Sequence, residues 1–389
     1  MTLRTVLLAS RPPWPALGGD RLRTFHLVRA LASLGPVTVV TPGDDPLAGL
    51  QEAVPGCTVR PVPLRRRDRL GVLRHLATDT PLQQALYDSK ALRVATAEVV
   101  RDADVVVAHL LRTMPWVPES SPPLLLCLQD ALSTQAAESA AAPGLAGGWR
   151  RLAVRLEQPR LLPAELAAAA RADRVSFISE RDRDALVQAG LSAAQTLVVP
   201  AAVEEIAEAP TLDPEPGRLL FFGNLRTASN QDMAVHAARR LLPMIRSSHR
   251  EARLAIAGIE APAAVRRLDR LPGVDVLGRV DELAPLVRSS WLTLCPLRFG
   301  SGVQNKVLES LAQGTPVVAT PRVAETLAAG APLAVGRLDR SFAVRAVELL
   351  ADPDERRRLG ELGIRFVREH HAPDVAMAPL LDAVRALAR

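Results

Sequence analysis

Residues 298–320 read RFGSGVQNKVLESLAQGTPVVAT. The apolar run before them, WLTLCP at 291–296, has the look of a buried strand, and Val303, Val307, Leu308 and Leu311 then recur at helical spacing. GTPVVAT is the next strand. Strand, turn, helix and strand in that order make a parallel sheet the economical reading, and the turn carries Gly300, Ser301 and Gly302. Lys306 is one of only two lysines among 48 basic residues, and Asn305 is one of only three asparagines. Scarce side chains placed at a strand-to-helix turn point to a ligand.

The same alternation runs through the chain. TLRTVLLAS, the loop RPPWPALGG, the helical DRLRTFHLVRALASLG and PVTVVTP form a first strand–loop–helix–strand unit, with further strands expected at 104–111, 123–128, 174–179 and 196–200. Residues 204–217, EEIAEAPTLDPEPG, are acidic and proline-rich, as a linker would be. Strands then restart with RLLFFGN, ARLAIAG, VDVLG, WLTLCP, TPVVAT and PLAVG. The expected organisation is a domain over 1–203, a linker over 204–217, a second domain over 218–371, and a last amphipathic helix over 372–389 that packs back on the first domain. In fold class this is α/β, two Rossmann-like open sheets.

Composition narrows the chemistry. The net charge of +6 permits attraction to phosphates, nucleic acid or an anionic membrane. With aromatics at 3% and a single tyrosine, stacking platforms for unpaired bases are scarce, so nucleic acid is not expected as a partner. Arg65, Arg66, Arg67 and Arg69 form a basic run suited to peripheral contact with anionic lipid. No apolar run reaches spanning length, which points to a cytoplasmic protein, with any membrane contact at the inner face. Cys57, Cys127 and Cys295 match no metal or disulfide spacing and read as buried free thiols. Asp102-Ala-Asp104 and Asp352-Pro-Asp354 have a D-x-D form, but the first precedes a strand and the second caps a helix, so no metal and no cofactor is expected.

At the opening turn, small residues let backbone N–H groups and the positive end of a helix approach an anion such as a diphosphate. Arg298 and Lys306 add charge, and Glu309, one turn further on, can accept two hydrogen bonds from a ribose diol. The other two asparagines, Asn224 and Asn230, flank a second strand end in FFGNLRTASNQDM, so one ligand could touch both junctions.

These stretches resemble the GT-B glycosyltransferases, specifically the family-4-like transferases of group 1 that build bacterial polysaccharides and glycolipids. The 298–320 stretch is similar to their donor signature, FFGNLRTASNQDMAVHAARRLLP to the first strand–helix of the donor domain, and WPALGGDRLRTFHLVRALASLG to the glycine-rich loop of the acceptor domain. The resemblance covers nearly the whole chain. It implies two domains facing a central cleft and transfer of sugar from a nucleotide-sugar donor to a glycan, lipid-linked or small-molecule acceptor, with retention and without metal. It further implies that Gly223, Asn224, Arg226, Asn230, Gly300, Ser301, Gly302, Val303, Gln304, Asn305 and Glu309 bind donor, and that Arg298 and Lys306 neutralise the leaving diphosphate. Gly18, Gly19 and Arg21 would serve the first domain's side, and His109 would lie near the transferred sugar.

The chain departs from the family pattern in two places. Ser301 stands where many members carry the first of two glutamates, and Asn224 and Ser229 stand where many carry Arg and Lys. These departures suggest a second reading, a catalytically silent paralogue that binds a nucleotide or a partner protein; a third, a nucleotide-sugar epimerase on the same two-domain fold, would need a set of carboxylates that the sequence does not display. A dinucleotide oxidoreductase is disfavoured because Gly18-Gly19 lacks G-x-G-x-x-G spacing.

Overall fold

A computed structural model describes residues 2–16, 19–64, 78–141, 148–211, 214–300 and 302–389. The chain divides into two compact units, 1–202 with 376–389, and 203–375. Arg65, Arg66, Arg67, Arg69, Gly18 and Ser301 lie outside the described residues.

The first unit is a seven-stranded, all-parallel sheet in the order β3-β2-β1-β4-β5-β6-β7, with β1 at Thr5–Ala9, β2 at Val37–Pro42, β3 at Cys57–Val62, β4 at Val105–His109, β5 at Leu124–Gln129, β6 at Arg174–Phe177 and β7 at Thr196–Val198. Its central strands are buried on both faces, as a parallel sheet covered by helices requires. The period of two is visible in the packing. Val6, Leu8, Val106, Ala108, Leu124 and Leu126 face one core, and Leu7, Ala9, Val105, Val107, Leu125 and Cys127 face the other. Into this second core the last helix, Pro373–Leu387, inserts Ala376, Met377, Leu380 and Val384, so the C-terminal segment belongs to the first unit.

β3 was not foreseen. Its sequence, CTVRPV, alternates buried and exposed positions and contains Pro61, which cannot donate to a ladder. The sheet tolerates it because β3 is an edge strand.

The second unit is a six-stranded parallel sheet in the order β10-β9-β8-β11-β12-β13, with β8 at Arg218–Phe222, β9 at Arg253–Ala257, β10 at Val274–Gly278, β11 at Leu292–Cys295, β12 at Val317–Ala319 and β13 at Leu333–Val335. The stretch expected as a linker is tied to this unit. Val203 N–H donates to His371 O and Ala207 N–H to Ala312 O, while Gln313 and Arg368 donate to Glu205 O and Ala207 O. Pro210 packs so closely on Gly314 and Gly360 that a Cβ on either glycine would meet it at 2.9 and 3.0 Å.

Both sheets reverse strand order at one place, between β1 and β4 in the first unit and between β8 and β11 in the second. In open α/β sheets the crevice beyond the carboxyl ends of such strands is where ligands bind.

Candidate functional site

At the switch point of the second unit, β8 ends before Gly223 and β9 ends before Gly258. The Gly223 carbonyl oxygen sits 2.0 Å from where a Cβ on Gly258 would lie. Only glycine allows this approach, which fixes the course of the turn after β8. In that turn the Asn224 side-chain oxygen accepts the Arg226 N–H at 3.0 Å, and the Asn224 carbonyl accepts the Thr227 hydroxyl at 3.1 Å and the Asn230 amide at 2.8 Å.

Asn230, in the helix Ala228–His236, joins the two junctions. Its Nδ2 donates to the Asn224 carbonyl and its Oδ1 accepts from Lys306 Nζ at 2.9 Å. The two partners settle the amide's orientation, because the reverse flip would set a carbonyl against a carbonyl and an NH2 against an ammonium.

Lys306 lies in the first turn of the helix Asn305–Ala312 and is only 6% exposed. Nζ also donates to Gln304 Oε1 at 3.1 Å and stands 5.6 Å from the centroid of the Phe221 ring. No carboxylate is in ion-pairing contact with it among the described residues. Burial pulls its pKa below the ordinary lysine value, opposed by Cys295 and Glu309. Glu309 is half-buried, and burial pushes its carboxyl up while Lys306 pulls it back. Among the described residues its carboxylate accepts no hydrogen bond. An ammonium held only by neutral groups, beside a carboxylate with vacant lone pairs, can receive an anion and a pair of hydroxyls.

Gly300 and Gly302 have φ of 102° and 83°, left-handed values that explain why the turn is written in glycine. Val303, Gln304 and Asn305 follow as the approach to the helix and are partly exposed. Arg298 is engaged differently from Lys306. Its guanidinium forms a two-pronged pair with Asp232, Nε to Oδ2 at 2.8 Å and Nη2 to Oδ1 at 2.7 Å. Arg226 likewise pairs with Glu260, at 3.2 Å. Of these three cations, only Lys306 lacks a carboxylate.

In the first unit, His109 closes β4 and is 1% exposed. Its Nδ1 is 3.1 Å from Thr24 Oγ1 and its Nε2 is 3.3 Å from Gln129 Oε1. Burial first, then the Arg23 charge, lower its pKa to about 4, so the imidazole is neutral near pH 7. Arg23 is buried and donates to the Val199 and Pro200 carbonyls, so its charge stays fixed beneath the strand ends. Gly19 opens the helix Gly19–Ala32, and Arg21 is partly exposed on its first turns.

Sequence reasoning passed over Thr24, Arg23, Gln129 and Asp130. Asp130 follows β5 directly, and burial, then Asp182 and Asp20, push its carboxyl up to about 7. Two non-glycine residues at these strand ends, Leu110 and Gln129, hold φ of 74° and 73°, a strained conformation of the kind that clusters at functional sites.

The two titrations oppose each other in stability. Between about pH 4 and the ordinary histidine value near 6.5, the unfolded chain binds the His109 proton and the folded chain does not, so stability rises with pH. Between the ordinary aspartate value of 3.8 and about 7, the folded chain holds the Asp130 proton and the unfolded chain does not, so stability falls with pH. His109→Gln should therefore tilt the stability–pH curve downward and Asp130→Asn should tilt it upward, each by up to about 1.4 kcal/mol per pH unit. Urea denaturation across this window checks both signs.

Comparison with known proteins follows the same division. Residues 18–202 match the family "Glycosyl transferase 4-like domain" and residues 216–352 match "Glycosyl transferases group 1". A sequence comparison with curated proteins finds no match. Among solved structures, the chain is similar to sucrose-phosphate synthase from Thermosynechococcus elongatus, at 16% identity and a TM-score of 0.74 over 99% of both chains. It is similar to Anabaena HepE, solved with UDP and glucose, at 15% identity and a TM-score of 0.68 over 99% of this chain and 100% of that one. It is also similar to trehalose 6-phosphate synthase from Burkholderia multivorans, at 15% identity and a TM-score of 0.66 over 100% and 97%. At these identities the likeness concerns the fold.

Proposed function

This chain belongs to the group 1, 4-like glycosyltransferases, and on that premise we propose that it moves a sugar from a nucleotide-sugar to a glycan, lipid-linked or small-molecule acceptor, with retention of anomeric configuration and without a metal ion. The observation that carries this reading is the buried Lys306 ammonium, held by Asn230 and Gln304 without a carboxylate, one turn before Glu309. In this reading the second unit holds the nucleotide. Glu309 accepts the ribose hydroxyls, and Lys306 with the N–H groups of its helix receives the diphosphate.

As the glycosidic bond breaks, charge grows on the departing diphosphate. A fixed cation stabilises that charge more than it stabilises the intact donor, and this difference is what accelerates transfer. Arg298, already matched by Asp232, adds field rather than a free contact. The turn residues Gly223, Asn224, Arg226, Gly300, Ser301, Gly302, Val303 and Asn305 shape the donor site, and Gly18, Gly19, Arg21 and His109 serve the acceptor and transferred sugar in the first unit. The acceptor belongs to the cell-envelope or polysaccharide class, reached on the cytoplasmic side, with Arg65, Arg66, Arg67 and Arg69 meeting anionic lipid. No helix among the described residues is long and apolar enough to cross a membrane.

HepE was solved with UDP, so UDP is a fitting probe. The wild-type protein should bind UDP more tightly than 2′-deoxy-UDP by about 1.5–3 kcal/mol, the value of a hydrogen bond to a charged group. Glu309→Gln should remove most of that difference while leaving 2′-deoxy-UDP affinity nearly unchanged. Calorimetric titration of the two nucleotides reads it directly, and equal discrimination by both proteins would take Glu309 out of the ribose site.

A further inference from the structure

We propose that the first unit carries an anion site for the acceptor, built from Arg11, Arg112 and Tyr87 around Asp20, and that the acceptor bears a phosphomonoester or a carboxylate. This deepens the glycosyltransferase reading and rests on it.

The parts come from three places in the fold. Ser10 and Arg11 follow β1, Arg112 follows β4, and Asp20 lies in the first turn of the helix Gly19–Ala32. These are the carboxyl ends of the two strands that flank the switch point. Arg11 Nη1 and Arg112 Nη2 both reach the same oxygen, Asp20 Oδ2, at 3.3 and 3.1 Å. One carboxylate therefore serves two guanidinium groups, and the cluster keeps a surplus positive charge.

Arg112 is not a solvated surface arginine. Its side chain is 13% exposed, its Nε donates to Ser10 Oγ at 2.7 Å, and its guanidinium lies 5.3 Å from the ring centroid of Tyr87, the only tyrosine in the chain. Its remaining terminal nitrogen, Nη1, donates to no protein group among the described residues. Arg11 is 52% exposed, and Tyr87 first, with Asp20 adding, raises its pKa against the opposing effect of burial. A planar fork fixed by packing loses little freedom on binding, which is why such arginines recognise phosphate and carboxylate well.

The cluster also connects to His109. Thr24 donates its hydroxyl to the Asp20 carbonyl at 2.7 Å and lies against His109 Nδ1. An anionic group on the two arginines would thus sit next to the residue placed nearest the transferred sugar. Asp20 occupies the site as an internal anion that an incoming one must compete with, so its removal and the removal of an arginine have opposite effects.

The test is a titration of inorganic phosphate into the full chain carrying Lys306→Met, which removes the free cation of the second unit. Binding in the millimolar range is expected, weakened about tenfold by Arg11→Gln and by Arg112→Gln and strengthened several-fold by Asp20→Asn. Arg11 is exposed, so Arg11→Gln remains informative if Arg112→Gln fails to fold, and a gain from Asp20→Asn cannot come from unfolding. Absence of phosphate binding, or binding that neither Arg11→Gln nor Asp20→Asn changes, would overturn the site. Glucose 6-phosphate, glucuronate and glucose then identify the source of the charge. Preference for the phosphate ester assigns a phosphorylated acceptor, equal binding of both anions admits a uronate, and glucose binding as well as either overturns the proposal. None of these titrations needs a donor, so a failed donor assay would count against the transferase reading and leave this result standing.

Discussion

Lys306→Ala is expected to weaken UDP binding by about 1.5–3 kcal/mol, roughly ten- to a hundredfold in Kd, because it removes a charge-assisted contact that no other side chain replaces. Arg298 and Arg226 cannot substitute, since each is already paired, with Asp232 and with Glu260. The stability of the unliganded protein should respond differently. A buried ammonium without a carboxylate is costly to desolvate, so Lys306→Met, which fills nearly the same volume, should leave the melting temperature unchanged or raise it while losing nucleotide affinity. Calorimetry with UDP, paired with thermal unfolding in its absence, reads both effects. A variant that unfolds easily and binds UDP normally when folded would make Lys306 a structural residue.

Gly258→Ala should have the largest effect on stability. An added Cβ would stand 2.0 Å from the Gly223 carbonyl oxygen and 3.0 Å from the Leu225 side chain. Leu225 can move, but a backbone carbonyl between two paired strands cannot. The Gly223 N–H donates to Ala257 O and Leu225 N–H donates to Ile259 O, so relieving the clash means breaking this junction. Overpacking of this kind costs about 3 kcal/mol or more. The same shift would displace Asn224, and with it the Asn230 amide that holds Lys306, so nucleotide binding should fall together with stability. Chemical denaturation showing a loss under 1 kcal/mol would mean that the β8 and β9 ends move apart more freely than their bonding indicates; such a small value is in the range of ordinary surface substitutions, about 0.5 kcal/mol.

The alternation of strands and helices was legible because parallel strands are buried on both faces and therefore read as short aliphatic runs, VLLA in β1 or LLLCL in β5. β3 escaped because an edge strand needs neither continuous apolarity nor a full set of donors. The 204–217 stretch has the composition of a linker, yet its backbone finds partners on the second unit. Those partners, Ala312, Gln313 and Arg368, are too far along the chain for composition to reveal.

The same limit applies to the site. Lys306 and Asn230 stood out in the sequence because both residue types are rare, but the bond that joins them across 76 residues appears only in the fold. Arg298 gave no such signal for its partner. Asp232 is one acidic residue among 42, and its fork with Arg298 appears only once the helix Ala228–His236 is set beside the end of β11. Around His109, the partners Thr24 and Gln129 are common residue types brought in by the sheet order β1-β4-β5 and the helix after β1. Arg11 and Arg112 were hidden by abundance, in a chain that writes nearly every positive charge as arginine.

The central claim is that the second unit holds a nucleotide-sugar whose sugar the protein transfers. Its most direct test is to incubate the protein with a panel of nucleotide-sugars and candidate acceptors and to measure nucleoside diphosphate release together with a mass gain of one sugar on an acceptor. The expected result is release and matching mass gain for one donor, both lost in Lys306→Met. Nucleoside diphosphate binding that depends on Lys306, with neither release nor transfer from any donor in the panel, would contradict the claim and identify the chain as a binding protein on a glycosyltransferase fold.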